Sequence, residues 1–599
     1  MKEPRMHLSD RRSFGNKKVN VKYTLKRLLS YLRPSLPLFI IVFLGNLLSV
    51  VLSLLGPYIC GIAIGQIKTD GTTDFAAITY YCVILVAVYV ASELINYATT
   101  VGMAYVARKM TNKMRGDLFK KLVHLPVGYF DNRQAGDVIS VLSYDIDTVG
   151  TSLANDVVLV LKSAVLIIGS LVMMLVIAAP LVAVFAVTVP LSLIMTKIIT
   201  KKVQPLYRRR SAELGELNGF AEEVLAGQKT TKAYNREEEI LQRFQEKNEA
   251  ANDAYTTAES YGTISGPCVN FINNLSLTLI SVLGALMFAF SWGGIGISQI
   301  SSFVLYSRKF SGPINEIANV IGEFQSSIAA AERVFTVLEE REEELGGEDA
   351  ETLGEVRGDV DISGVDFGYL PEKRVLKNFS LHADSGDVIA IVGKTGAGKT
   401  TVINLLMRFY DADAGTISID GKDIRTVTRS SLRGAFTMVL QDTWLFAGTV
   451  YENIAYGAEN VTREMVEKVC KKARIHSFIT RLPQGYDTLL TDNAVNISKG
   501  QKQLLTIARA MLSPSPMLIL DEATSNVDTR TEQIIQGAMT ELMKGKTCFV
   551  IAHRLSTIKN ADKILVMDGG NAVEQGTHAE LMERKGYYYK LYNSQFESY

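Results

Sequence analysis

An α-helical membrane half followed by an α/β half is the fold class this sequence predicts, and three observations carry it. Six apolar runs, each long enough to cross a bilayer, precede Gln325. A glycine loop, Gly393–Thr400, fits the pattern G-x-x-x-x-G-K-[ST] and lies between a strand-like run and a helical one. Further on, the apolar stretch Met517–Leu520 ends in two carboxylates, Asp521 and Glu522. The chain therefore reads as multi-domain. An N-terminal segment (1–33) leads into a six-helix transmembrane domain with two long cytoplasmic loops (34–335). An acidic linker (336–357) and a nucleotide-binding domain (358–599) follow.

Composition narrows the class further. A chain of 599 residues exceeds a single compact domain, and 47% of it is hydrophobic with a net charge of only +1. That balance excludes a nucleic-acid partner and a disordered tail. The five cysteines, Cys60, Cys82, Cys268, Cys470 and Cys548, are widely separated, so no zinc site or disulfide framework is expected. The first 33 residues are polar and basic and carry no cleavable signal peptide.

The apolar runs are Leu36–Ile64, Phe75–Val101, Val157–Ala179, Leu181–Ile199, Val269–Phe290 and Ile297–Val320. Buried helices of a soluble protein do not repeat such lengths six times. The last run is the weakest, being interrupted by charged and polar residues. Basic residues crowd before the first run (Lys22, Lys26, Arg27, Arg33), after the second (Lys109, Lys113, Arg115) and after the fourth (Lys201, Lys202, Arg208). The positive-inside bias then places both termini and the long loops on the cytoplasmic side of a cell membrane. Residues 104–150 and 200–265 carry amphipathic helical patterns that bend around Pro126–Gly136 and Gly215–Gly227. Their tips are candidate contact points for a soluble motor.

Charges at membrane depth are expensive and mark function. Glu93 and Lys162 fall at similar depth, so a pair near the inner leaflet is expected; the alternative has Lys162 snorkelling to the headgroups and Glu93 facing water. Arg308 and Lys309, at mid-depth in the last run, are expected to face a polar cavity. The acidic run Glu339–Glu351 is expected to be a solvated linker.

The soluble half carries the chemistry. Val388–Val392 reads as a buried strand, and Val402, Ile403, Leu405, Leu406 and Phe409 recur at helical spacing. Strand, glycine loop and helix in that order form an α/β P-loop NTPase core. The backbone N–H groups of Gly393, Lys394, Thr395, Gly396, Ala397, Gly398, Lys399, Thr400 and Thr401 are placed to cradle a polyphosphate. Lys399 reaches the β- and γ-phosphates, and the Thr400 hydroxyl ligates Mg²⁺. Asp521, on a strand expected to neighbour that of the loop, suits a Mg²⁺ role, and Glu522 is placed to polarise an attacking water.

Asn496-Ile497-Ser498-Lys499-Gly500-Gln501, then Leu520–Asp528, then Ala552-His553-Arg554 resemble the motif set of an ATP-binding cassette (ABC) exporter. Tyr129-Phe130-Asp131 and Gly136-Asp137 extend the resemblance to the family's first cytoplasmic loop, so it covers essentially the whole chain. It implies type I exporter architecture (the type IV transporter fold) and ATP with Mg²⁺ as cofactors. It further implies that Tyr369 stacks on adenine and that Gln441 contacts Mg²⁺ and the attacking water. By the same resemblance His553 contacts the γ-phosphate, and Asp528 communicates across a dimer.

In this family the signature segment, here Ser498, Lys499, Gly500 and Gln501, completes the nucleotide site of the opposite subunit, so a second half-transporter is an obligatory partner. The family has glycine where this chain has Lys499. An intact Glu522 beside an altered signature favours a heterodimer, although a tolerated substitution leaves a homodimer open. The function implied is ATP-driven export of a hydrophobic or amphipathic cargo (drug, lipid or peptide) from the bilayer by alternating access. A nucleotide-gated channel needs no hydrolytic base, and ATP-driven uptake is disfavoured by the absence of a solute-capture domain.

Overall fold

The computed structural model describes residues 21–67, 73–344, 346, 350–370, 372–441, 443–490, 497–521, 528–552 and 555–596. They form two compact units: one is Lys18–Lys120 with Gly136–Glu339, the other Lys121–Ala135 with Glu340–Tyr599.

The first unit is helical. In order it has α1 (Val21–Leu32), α2 (Leu36–Gly65) and α3 (Phe75–Val123), then, past α4 (Val127–Asp131) of the other unit, α5 (Ala135–Ser140), α6 (Ile146–Thr151), α7 (Val157–Ala226), α8 (Gln228–Ala233), α9 (Glu237–Thr263), α10 (Ser265–Ala289) and α11 (Ile297–Glu339). Among the described residues four helical stretches are long and apolar enough to cross a membrane, Val21–Gly65, Phe75–Val123, Ala135–Ala226 and Glu237–Ala289. The third holds two of the expected runs, divided at Ala178 (φ −158°, ψ 76°), two residues before Pro180, whose ring and missing N–H exclude a straight helix. The sixth run is the first half of α11, where Arg308, Lys309 and Glu316 dilute the apolar character. Side chains such as Val83, Val86, Val176 and Phe271 are more than 60% exposed, which in a bilayer is lipid contact. The second expected bend falls at Gly227–Arg236 and not as early as Gly215, because Gly215 and Gly219 both remain inside α7. A lone glycine weakens a helix by about 1 kcal/mol, which its neighbours readily offset.

Small and hydroxylated residues let α2 and α11 approach. Tyr306 Oη donates to the Leu54 carbonyl at 2.5 Å, Ser302 Oγ to that of Pro57 at 3.0 Å, and Ser298 Oγ to that of Gly61 at 2.5 Å. In lipid such interhelical bonds and close backbone contacts replace the hydrophobic drive that water supplies.

The second unit is built on two sheets. Strands β1 (Val360–Phe367), β2 (Leu376–Ala383), β4 (Ala414–Ile419) and β5 (Lys422–Asp423) form an antiparallel sheet in the order β2-β1-β4-β5. Strands β3 (Val388–Gly393), β6 (Phe436–Val439), β9 (Met517–Asp521), β10 (Thr547–Ile551), β11 (Lys563–Asp568) and β12 (Asn571–Gly576) form the larger sheet, ordered β12-β11-β3-β10-β9-β6. All its pairs are parallel except β11 with β12. Helix α12 (Lys399–Leu406) follows β3, and α13 (Arg429–Gly434) precedes β6. Between β6 and β9 lie β7 (Gly448–Thr449), α14 (Val450–Ala455), α15 (Arg463–Lys472), α16 (His476–Ile479), β8 (Leu489–Leu490) and α17 (Lys499–Leu512). Helix α18 (Thr529–Met543) joins β9 to β10. Alternate side chains serve alternate cores. Ile389, Ile391, Met517, Ile519, Phe549 and Ile551 pack on one face, and Ala390, Val392, Leu518, Leu520, Cys548 and Val550 on the other. A sheet buried on both faces explains why these strands read as unbroken apolar runs.

The acidic run is solvated over most of its described length, with Glu339, Arg341, Glu342, Glu344 and Glu351 exposed, but it is tethered by ion pairs that sequence reading did not anticipate. Glu343 meets Arg433 at 2.5 Å and Arg429 at 3.4 Å, Glu342 meets Lys121 at 3.1 Å, and Glu340 meets Arg133 at 3.1 Å. Sequence reading counted the acids and lacked their partners, which stand 86 and 90 residues downstream and more than 200 upstream. Helix α12 also stops at Leu406: Arg408 is left-handed (φ 49°), so Phe409 lies beyond the helix and not on it.

A methyl group at Gly61 would sit 1.8 Å from Ser302 Oγ and 2.8 Å from the Ser298 carbonyl, so Gly61→Val should force α2 and α11 apart. Thermal unfolding in detergent is expected to lose several-fold more stability for Gly61→Val than for Ser302→Ala, which removes one bond worth about 1 kcal/mol.

Candidate functional site

The carboxyl ends of the parallel strands gather one set of chemistry-bearing residues. Ile391 of β3 is level with Ile551 of β10, Ile551 with Asp521 of β9, and Leu520 with Val439 of β6. Gly393, Asp521 and, two residues past β6, Gln441 therefore emerge on one edge, where an open parallel sheet binds its ligands. β10 intervenes between β3 and β9, so the Asp521 strand is not the direct neighbour expected of it. Glu522 and His553 lie outside the described residues; they follow Asp521 and Ala552 directly in the chain.

The loop after β3 is shaped for an anion. Gly396 (φ 82°) and Gly398 (φ 104°) are left-handed, a conformation that side chains disfavour. Gly398 caps α12 without any side-chain hydrogen bond, so among the described residues the cap leaves the first-turn N–H groups without a side-chain acceptor. A Cβ at Gly393 would meet the Met567 carbonyl at 2.4 Å. Lys394, Thr395, Gly396 and Thr400 are exposed, whereas Ala397 and Thr401 are buried. Lys399, only 9% exposed, donates to the carbonyls of Gly393 at 2.7 Å and Lys394 at 3.1 Å. Burial pulls its ammonium below the usual lysine range, and the negative charge of Asp521 opposes that pull. The cation is thus held over the loop and within reach of the carboxylate. Exposed amides, a buried cation, the exposed Thr400 hydroxyl and a carboxylate at the strand end form a donor set that fits a magnesium-bound polyphosphate.

Tyr369, half-buried after β1, is fixed to α12. Its hydroxyl accepts from Asn404 Nδ2 at 2.9 Å and donates to Thr401 Oγ1 at 3.3 Å. Its ring stands edge-on to Phe367 and to Tyr410, with centroids 5.0 Å away in each case. Tyr410 Oη in turn donates to Asp131 of α4 at 2.5 Å, and a Cβ at Gly128 would lie 2.9 Å from the Tyr410 ring. Helix α4 is therefore one ring away from Tyr369. Asn404 and Tyr410 were missed by sequence reading; the run Phe409-Tyr410-Asp411 could have marked them only as an aromatic pair after a helix.

Ser498 caps α17 with a reciprocal pair of bonds. Its Oγ accepts from Gln501 N at 3.3 Å, and its own N–H meets Gln501 Oε1 at 2.9 Å. The start of α17 carries the positive end of the helix dipole, which favours an incoming oxyanion. Lys499 is exposed and Gly500 buried, and both hold negative φ. Replacing glycine with lysine here therefore strains no backbone; what it adds is charge and bulk. Asp528 is the N-cap of α18, accepting from Thr531 N at 2.9 Å, and hydrogen bonding from the Thr531 side chain, joined by that backbone bond, holds its carboxylate below the usual range.

In the helical unit the expected Glu93–Lys162 pair is absent among the described residues. Glu93 is exposed and accepts from Asn96 Nδ2 at 3.2 Å, three residues along its own helix, which satisfies it without the lysine. Arg308 is exposed. Lys309 is half-buried, donates to Ser53 Oγ at 3.5 Å and lies 6.0 Å from the Tyr89 ring centroid.

A phosphate-binding α/β unit carried by a bundle of membrane-spanning helices defines a nucleotide-driven membrane protein. Residues 39–314 match the family description "ABC transporter transmembrane region" and residues 376–525 match "ABC transporter". The chain belongs to the ABC transporter family, as an ATP-hydrolysing, multi-pass half-transporter of the exporter type. It is 42% identical over 86% of its length, and 82% of the relative's, to the fatty acid ABC transporter ATP-binding/permease protein of Mycobacterium bovis. It is 34% identical to the ATP-dependent lipid A-core flippase of Idiomarina loihiensis, over 96% of this chain and 98% of that one. The structure of a bacterial Atm1-family ABC exporter with ATP bound superposes with a TM-score of 0.75 at 28% identity, covering 94% of this chain and 98% of the other.

Equilibrium binding of a fluorescent ATP analogue should separate these contributions. Gly393→Ala and Lys399→Ala are each expected to weaken it by tenfold or more, about 1.4 kcal/mol at the least. Tyr369→Phe, which loses only the bonds to Asn404 and Thr401, should cost about 1 kcal/mol.

Proposed function

We propose that this chain is one half of a two-chain exporter that moves a lipid-like amphiphile out of the cytoplasmic leaflet, with both termini in the cytoplasm. Its relatives include proteins named for fatty acid and for lipid A, and its own membrane half exposes a broad apolar surface. The observation that carries the reading is the shared strand edge, with the Lys399 loop, Asp521 and Gln441 together beside an uncapped helix start.

In this reading Tyr369 supports the adenine, and the amides of residues 393–401 with Lys399 hold the β- and γ-phosphates. Thr400, Gln441 and Asp521 would hold Mg²⁺, which neutralises charge on the phosphate oxygens. Glu522 accepts a proton from the attacking water, and His553 faces the γ-phosphate. The partner contributes its own Ser498-type cap, and this chain's Ser498, Gly500 and Gln501 complete the partner's site, across which Asp528 signals. Lys499 supplies charge where the family has glycine, so a heterodimer with one slow site is favoured over a homodimer. The contacts Tyr369–Tyr410 and Tyr410–Asp131 support a route from the nucleotide to α4.

Glu522→Gln is expected to bind ATP and to lose hydrolysis by about 100-fold or more. Full function retained by that variant would return the protein to the class of nucleotide-gated modules. Cooperative hydrolysis and transport by the purified chain alone would overturn the heterodimer and leave the exporter standing. Tyr410→Phe removes one bond of about 1 kcal/mol to Asp131 and should lower the ratio of cargo-stimulated to basal hydrolysis several-fold. An unchanged ratio would remove Tyr410 from the route.

A further inference from the structure

Helix α12 is held at the end away from the phosphate loop. It has eight residues, so about 12 Å separate the loop from the exit of the helix. There the chain turns through Met407 and the left-handed Arg408, and two guanidinium groups of α13 take their carbonyls. Arg433 Nε donates to the Met407 carbonyl at 3.2 Å and Arg433 Nη2 to that of Arg408 at 3.3 Å, which also accepts from Arg429 Nη1. Cations at a helix C-terminus are favoured by the macrodipole. The Arg408 guanidinium lies in the same place, donating to the carbonyls of Ile424 at 2.9 Å and Val427 at 3.1 Å.

Three guanidinium groups so close together need counter-charge. Among the described residues two carboxylates lie within ion-pair distance of them. Asp411 accepts from Arg408 Nε and from Arg429 Nη2, each at 2.8 Å. Glu343 accepts both arms of the Arg433 fork, at 2.5 and 2.7 Å, and lies 3.4 Å from Arg429. The side chains of Arg429 and Glu343 are only 9% and 11% exposed. A charge left unpaired at such burial is strongly unfavourable, so losing Glu343 must move the arginines and the carbonyls they hold. Glu343 stands outside both sheets, in the stretch between α11 and β1, and its own N–H donates to the His124 carbonyl at 2.9 Å.

We infer that Glu343 is a positioning residue of the nucleotide site. Through Arg433 and Arg429 it fixes the far end of α12, and with it the place of Lys399 and the loop amides against the Asp521 strand end. It touches no nucleotide and acts only by way of the helix. Linkage is reciprocal, so nucleotide on the loop tightens the Glu343 contacts by the factor that those contacts tighten nucleotide. The acidic stretch before β1 therefore tunes ATP affinity, and whatever draws Glu343 off the arginines weakens it.

The test is equilibrium binding of a fluorescent, non-hydrolysable ATP analogue with Mg²⁺ to the full-length protein in nanodiscs. Glu343→Gln is expected to raise the dissociation constant at least fivefold, a usual size for coupling between sites. Glu342→Gln, which removes the neighbouring exposed pair with Lys121, should leave it within about twofold. Arg433→Lys keeps the charge but loses the fork, so it should raise the constant too, and it carries the comparison if Glu343→Gln does not fold. In the unaltered protein the analogue should slow hydrogen exchange at the Glu343 amide by at least the same factor. A dissociation constant unchanged in either clamp variant, an equal rise in Glu342→Gln, or exchange at the Glu343 amide indifferent to the analogue would overturn the inference. None of these readouts needs hydrolysis or transport, so a failure of the proposed export leaves them untouched, and the reverse also holds.

Discussion

The amides at the start of α12 open onto the edge of the parallel sheet, and no side chain caps them. Three glycines let the loop curl so that those N–H groups converge, and a buried Lys399 stands over the same concavity. Such an arrangement is costly until an anion fills it, and the cost is what makes phosphate binding selective. The sheet behind it is packed on both faces, so the positions of Asp521 and Gln441 relative to the loop are set by strand register and not by flexible chain. A nucleotide arriving there meets groups that need little rearrangement.

From that edge the physical connection to α4 is short. Tyr369 is tied to α12 by two hydrogen bonds, touches Tyr410 edge-on, and Tyr410 is bonded to Asp131. Aromatic contacts of this geometry are worth about 0.5–1.5 kcal/mol beyond burial, enough to bias a small displacement. The acidic run beside it is tied to the same segment, with Glu340 on Arg133, Glu342 on Lys121, and the Glu343 N–H on the His124 carbonyl at 2.9 Å. The segment 121–135 thus belongs to the same compact unit as the α/β half.

Much of this was legible in the residues alone. Apolar length identified the membrane runs, since a span needs about 20 apolar residues whatever its neighbours are. The phosphate loop was legible because its glycines answer to a local backbone requirement. What sequence concealed was set at a distance: β10 slips between the loop strand and the Asp521 strand, and Arg429 and Arg433 tether the acidic stretch through Glu343. Glu93 and Lys162 were expected at one depth, yet Glu93 accepts from the nearby Asn96 of its own helix and forms no pair with Lys162 among the described residues. The signature position was visible as a departure from pattern, but only the helical conformation of Lys499 reveals that the departure is one of charge and bulk and not of strain.

The account stands or falls on whether phosphate chemistry in the soluble unit drives movement through the helical one. The direct measurement is accumulation of a labelled anionic amphiphile inside sealed inside-out vesicles containing the assembled protein, with ATP or with a non-hydrolysable analogue. Accumulation against a gradient with ATP alone is the result expected. Equal, downhill equilibration under both conditions would contradict it.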